Sequence, residues 1–129
     1  PVVVDVSEFN TAGEVIEDEV STAPHGATMS FTFTGETDIF VLTDEDVSWI
    51  FGVSLTSPDS FEIGDVLYLS SEFGKKNVYL VRGESAYPIA DAIVQGSVWP
   101  VIFPGENSIV CSDEIVWSSL SYLPTYWGV

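Results

Sequence analysis

The chain has 129 residues, of which 46% are apolar, so it can bury a real core and disorder is excluded. Twenty Asp and Glu face three basic residues, Lys75, Lys76 and Arg82, a formal net charge of −17. That balance excludes a phosphate backbone or an anionic bilayer as partner, because both are recognised through Lys and Arg.

The charge carries a further expectation. Self-repulsion costs stability and salt screens it, so either the surroundings are saline or halophilic, or the acidic surface meets a basic partner. Cys111 is the only cysteine, which rules out an intrachain disulfide. No stretch reaches the ~18 apolar residues of a membrane-spanning helix. The opening PVVVDVSEF has neither a basic n-region nor a long apolar stretch and is read as no signal peptide. Lacking an initiating Met, it reads as a processed chain or a domain cut from a longer one.

In chain order, residues 2–6 and 14–20 read as strands, the second with interleaved carboxylates, and 22–27 as a loop around Pro24 and Gly26. Met29, Phe31 and Phe33 alternate with Ser30, Thr32 and Thr34, the period of a half-buried strand. Residues 37–42 form a run apolar on both faces, and 43–46 (TDED) a charged loop. Residues 47–55 are β-branched and aromatic, with Gly52 as a bulge or a site of close approach. After a turn at 57–60, residues 66–70 and 77–82 form a hairpin with its tip at 72–76. Both arms are apolar at nearly every position, which predicts cover on both faces. Residues 90–94 are the one short helical turn expected. Residues 98–103 and 107–111 read as strands around a Pro-Gly turn, and 114–122 as the last long strand.

Many short strands and little or no helix predict an all-β protein, an antiparallel β-sandwich of the jelly-roll or galectin-like kind. Residues 1–129 form a single domain on this reading, with N-terminal strands and a loop in 1–27 and the sandwich proper in 28–129.

The chemistry-bearing residues are sparse. His25 is the sole histidine, no serine sits in a G-x-S-x-G elbow, and His25 reads as an exposed loop residue. Twenty carboxylates make chance pairs inevitable, so pairing alone does not indicate a glycosidase. The runs Asp44-Glu45-Asp46 and Glu17-Asp18-Glu19 could offer oxygen ligands to a calcium ion, but neither has EF-hand spacing, and solvated acidic loops are the simpler reading. No cofactor is expected. Trp49, Trp99 and Trp117 read as core or interface, whereas Tyr126 and Trp127 in the terminal tail are contact candidates. Phe103-Pro104-Gly105-Glu106 fits a type II turn, Pro104 fixing φ and Gly105 supplying positive φ, with Asn107 bonding local backbone groups.

The C-terminal half also carries an ordered pattern. Gly64-Asp65 opens an apolar strand, and a hairpin leads to Asn77-Val78-Tyr79-Leu80. Trp99-Pro100 follows, then Pro104-Gly105-Glu106-Asn107-Ser108-Ile109, and the tail reads Tyr122-Leu123-Pro124-Thr125-Tyr126-Trp127. Over roughly residues 25–129 this series resembles the C-terminal domain of distal tail proteins of long-tailed bacteriophages. The resemblance implies a galectin-like or carbohydrate-module-like sandwich without enzymatic activity, on the outside of the ring that joins tail tube to tip. It implies a virion tail location after assembly in the host cytoplasm. The implied partners are other tail proteins, with homo-oligomers in the particle and host-surface glycans as a further contact. The proposed contacts are Tyr122, Tyr126 and Trp127 at the C-terminal end, and Asp44 and Asp46 in the acidic loop. The alternative is a carbohydrate-binding sandwich whose exposed Trp and Tyr stack on sugars.

Overall fold

The computed structural model describes residues 2–4, 14–18, 21, 23–45, 48–56, 58–112 and 115–122. Among the described residues, ten strands build two antiparallel sheets and one 3-10 turn is present. The strands are β1 (Val2–Val4), β2 (Glu14–Asp18), β3 (Thr28–Phe33), β4 (Ile39–Asp44), β5 (Ile50–Ser54), β6 (Val66–Ser70), β7 (Asn77–Arg82), β8 (Ser85–Pro88), β9 (Gly105–Cys111) and β10 (Ile115–Tyr122). One sheet runs β1-β10-β3-β6-β7-β8 and the other β2-β9-β4-β5. The expected all-β sandwich is therefore present. The two N-terminal strands are built into different sheets, β1 against β10 and β2 against β9.

Alternation along the strands decides what lies between the sheets. Met29, Phe31 and Phe33 of β3, with Leu67 and Leu69 of β6 and Val78 and Leu80 of β7, point inward from the first sheet. Phe40 and Leu42 of β4, Phe51 and Val53 of β5, and Ile109 and Cys111 of β9 meet them from the second. Phe31 and Phe40 touch across the gap with ring centroids 4.9 Å apart, and Phe61 stacks on Phe33 at 4.0 Å. Aromatic pairs of this kind add about 0.5–1.5 kcal/mol beyond the area they bury. Burial also pushes the Cys111 thiol up to about 12, so it stays protonated and inert at neutral pH.

Several sequence expectations change here. Strands β6 and β7 are covered on one face only, because Tyr68 and Tyr79 of their apolar runs lie on the outer face of the sheet. Residues 98–103 are not a strand: Pro100 lacks an N–H for a ladder, and Ile102 alone makes a bridge, to His25. β8 was not anticipated; a two-residue loop, Gly83-Glu84, with φ of 61° at Gly83, folds Ser85–Pro88 back on β7. The helical turn is a 3-10 turn over Ala90–Ala92. Gly52 is a close-approach site: its N–H donates to Ser97 Oγ, its carbonyl accepts from Val94, and a Cβ would lie 3.3 Å from Val94 Cγ2.

Candidate functional site

The hairpin β6–β7 projects at one end as a turn whose Glu72 carbonyl accepts from Lys75 N–H at 2.9 Å. Gly74, at φ 75°, takes the third position, which needs positive φ, and leaves Phe73 at the corner. Phe73 is 99% exposed. It borders an open groove of about 540 Å³ lined also by His25, Lys76, Val98, Trp99 and Val101. Val98 is exposed, and Trp99 is half-buried with its ring 5.0 Å from Phe51 in the core. Lone exposed apolar residues need no explanation, but Phe73 and Val98 continue into the groove as one surface. Lys76 is exposed on its lining and Lys75 is exposed next to it on the hairpin tip, and among the described residues neither forms an ion pair. Two of the three basic side chains thus stand at the apolar edge.

The floor of the groove is closely packed and hydrogen-bonded. Ala27 N–H donates to Ser71 Oγ, Ser71 N–H donates to the Ala27 carbonyl, and a Cβ on Gly26 would fall 2.0 Å from the Ser71 carbonyl oxygen. His25 is not the exposed loop residue expected. Its side chain is almost fully buried, with Nε2 2.6 Å from Asp18 Oδ2 and Nδ1 2.7 Å from the Gly26 carbonyl. Both ring nitrogens lie within hydrogen-bond distance of oxygen atoms. His25 N–H donates to the Ile102 carbonyl and Ile102 N–H returns the bond, and the His25–Asp18 pair ties this segment to the end of β2. The seven-residue spacing of Asp18 and His25 carries no sequence signal for this pair.

The acidic runs are also partly internal. Asp44 is 8% exposed at the end of β4, not in a solvated loop, and accepts a hydrogen bond from Ser48 Oγ. Glu45 is exposed, and Asp46 lies outside the described residues. Glu17 and Asp18 belong to β2, as the strand reading of 14–20 expects, and Asp18 is committed to His25 and to Ser21 N–H. Among the described residues no three His, Cys, Asp or Glu side chains are grouped as metal ligands.

Gly105 has φ of 91°, and Asn107 is buried with its Oδ1 accepting from Phe103 N–H and its Nδ2 donating to the Phe103 and Gly105 carbonyls. Pro104 lies exposed at the corner. Trp49 is core, its indole N–H donating to the Val101 carbonyl at 3.0 Å. Trp117 and Tyr122 lie in β10, where backbone placement alone is described, and Tyr126 and Trp127 fall outside the described residues.

At the other end of the hairpin, Asp65 is 2% exposed and receives Arg82 Nε and Nη2 in a fork at 2.8–3.3 Å. Arg82 also donates to the Ser60 carbonyl and pairs with Glu62, and its bond to Asp65 raises its already high pKa. Gly64, at φ 92°, delivers Asp65 to this position.

No protein-family model matches the sequence, and no curated protein matches it. Among solved structures the fold is similar to the Dit protein (gp 19.1) of phage SPP1, described as a paradigm of the hub adsorption apparatus in phages infecting Gram-positive bacteria. The TM-score is 0.67 at 15% identity, over 95% of this chain and 47% of that one, so the chain spans about half the length of the matched protein.

Proposed function

We propose that the chain is a non-enzymatic structural and docking module of a phage tail, seated in the virion at or near the tube–tip junction. The observation that carries this is the likeness in fold to SPP1 Dit across 95% of the chain. The groove beside Phe73 supplies the means of attachment. An aromatic side chain left in water next to an open apolar groove is an anchor awaiting a pocket. Lys75 and Lys76 select a partner surface whose apolar pocket is rimmed by carboxylates, since opposite charge steers encounter and sets register. The partner is another tail protein, or a second copy of this acidic chain in a homo-oligomer of the particle.

Immunogold electron microscopy of purified particles of the encoding virus, with antibody against this chain, should label the tail end. Particles that lack the chain, or carry it only on the capsid, would overturn the reading. Incorporation should fall when Phe73→Asp is introduced, while the isolated variant stays folded.

A further inference from the structure

We propose that the hollow beside Tyr68 and Tyr79 docks a proline-rich segment of a partner protein, with a basic residue next to its prolines. The site is separate from the Phe73 groove and does not rest on the tail assignment. The two tyrosines stand directly opposite on β6 and β7, their rings stacked at 5.1 Å and 12°. They wall a hollow of about 320 Å³ that continues over the next row of the sheet, Thr28, Ser70 and Asn77 on β3, β6 and β7. Glu72 and Lys75 complete the lining.

The polar groups of the lining lean toward donation. Ser70 Oγ is shielded from solvent and has no hydrogen-bond partner, the one such side-chain atom among the described residues. A buried hydroxyl left unpaired costs stability, and a ligand carbonyl in the hollow would complete it. Asn77 spends its Oδ1 on Val78 N–H, which leaves its amide N–H groups to donate. Lys75 can only donate, and Glu72 is the one lining side chain that can only accept.

A ligand that fits donors beside an aromatic wall is rich in acceptors and apolar between them. A polyproline II segment has this character: its carbonyls make no internal hydrogen bonds, and its prolines carry no N–H. Aromatic-lined grooves recognise such segments because the extended chain is already ordered before it binds. A hydroxylated ligand brings a donor with every acceptor, and Glu72 alone cannot match them. Glu72 instead selects a Lys or Arg beside the prolines, and the chain's net −17 draws a basic segment toward it. A peptide added as an extra strand is excluded because β6 and β7 are interior strands with no free edge.

The test is amide chemical-shift titration of the folded chain with a capped arginine–octaproline peptide and with a glycine–serine counterpart of the same length and charge. The proline peptide should give saturable shifts confined to Thr28 and residues 68–72 and 75–79, and the counterpart none. Tyr68→Ala should abolish them. Ser70→Ala should weaken binding by about three- to tenfold, the worth of one neutral hydrogen bond, while its melting temperature stays level or rises. Glu72→Gln should weaken it by about two- to fivefold, the worth of one exposed ion pair, and leave uncharged octaproline unaffected. Absence of saturable shifts, or equal shifts with the glycine–serine peptide, would overturn the proposal. So would shifts centred on the Phe73 groove, unchanged binding by Tyr68→Ala, or a lowered melting temperature for Ser70→Ala, which would make the hydroxyl structural.

Discussion

The two ends of the β6–β7 hairpin use the chain's basic residues in opposite ways. At the Asp65 end, Arg82 is turned inward onto a buried carboxylate and a backbone carbonyl, so its charge holds the fold. At the Phe73 end, Lys75 and Lys76 face water beside an aromatic side chain that touches nothing it needs. The difference lies in what each end can satisfy internally. A guanidinium fork matches a carboxylate in two parallel bonds, whereas lysine's flexible ammonium loses more by being fixed. One end of a single hairpin is thus an anchor and the other a presenting surface.

That contrast can be broken from the anchored side first. Asp65→Ala removes the buried carboxylate while the partly exposed Arg82 keeps Glu62, and should cost about 1.5–3 kcal/mol, read by urea unfolding. A loss below 1 kcal/mol would show that the fork is ornamental. Gly26→Ala pushes a Cβ into the Ser71 carbonyl and should cost about 1–3 kcal/mol while loosening the groove floor. Gly105→Val meets open space, so only its positive φ is strained, and about 1–2 kcal/mol is expected. Equal stability of wild type and this variant would remove positive φ as the reason for glycine there. Phe73→Ser should change stability by no more than about 0.5 kcal/mol, because nothing in the fold leans on the ring. A large drop in its melting temperature would erase the distinction between the two ends.

Legibility in the sequence followed how local the cause was. The alternation of Met29, Phe31 and Phe33 announced both the strand and its buried face, and Pro104-Gly105 marked a corner where φ of Gly105 is positive. Gly83-Glu84 was an available hairpin signal, and β8 was missed because its strand is four residues long and ends in Pro88. The runs VLYLS and NVYLVR resembled doubly covered strands because tyrosine counts as apolar. Only the sheet's outer face shows that Tyr68 and Tyr79 stack there. Nothing in the charged tip singles out Phe73, since exposure is a property of what fails to pack against a residue. The contacts placed on Tyr126 and Trp127 fall outside the described residues.

By itself the sequence determined the all-β class, most strand positions, the Pro-Gly corner and the acidic surface. Each depends on period, φ preference or charge within a few residues. Tertiary structure alone decided that Asp18 meets His25, that Arg82 forks onto Asp65, and that Ser70 lines a hollow beside two tyrosines. Those relations join residues on different strands or loops, and sheet order and register, not sequence distance, set which side chains become neighbours.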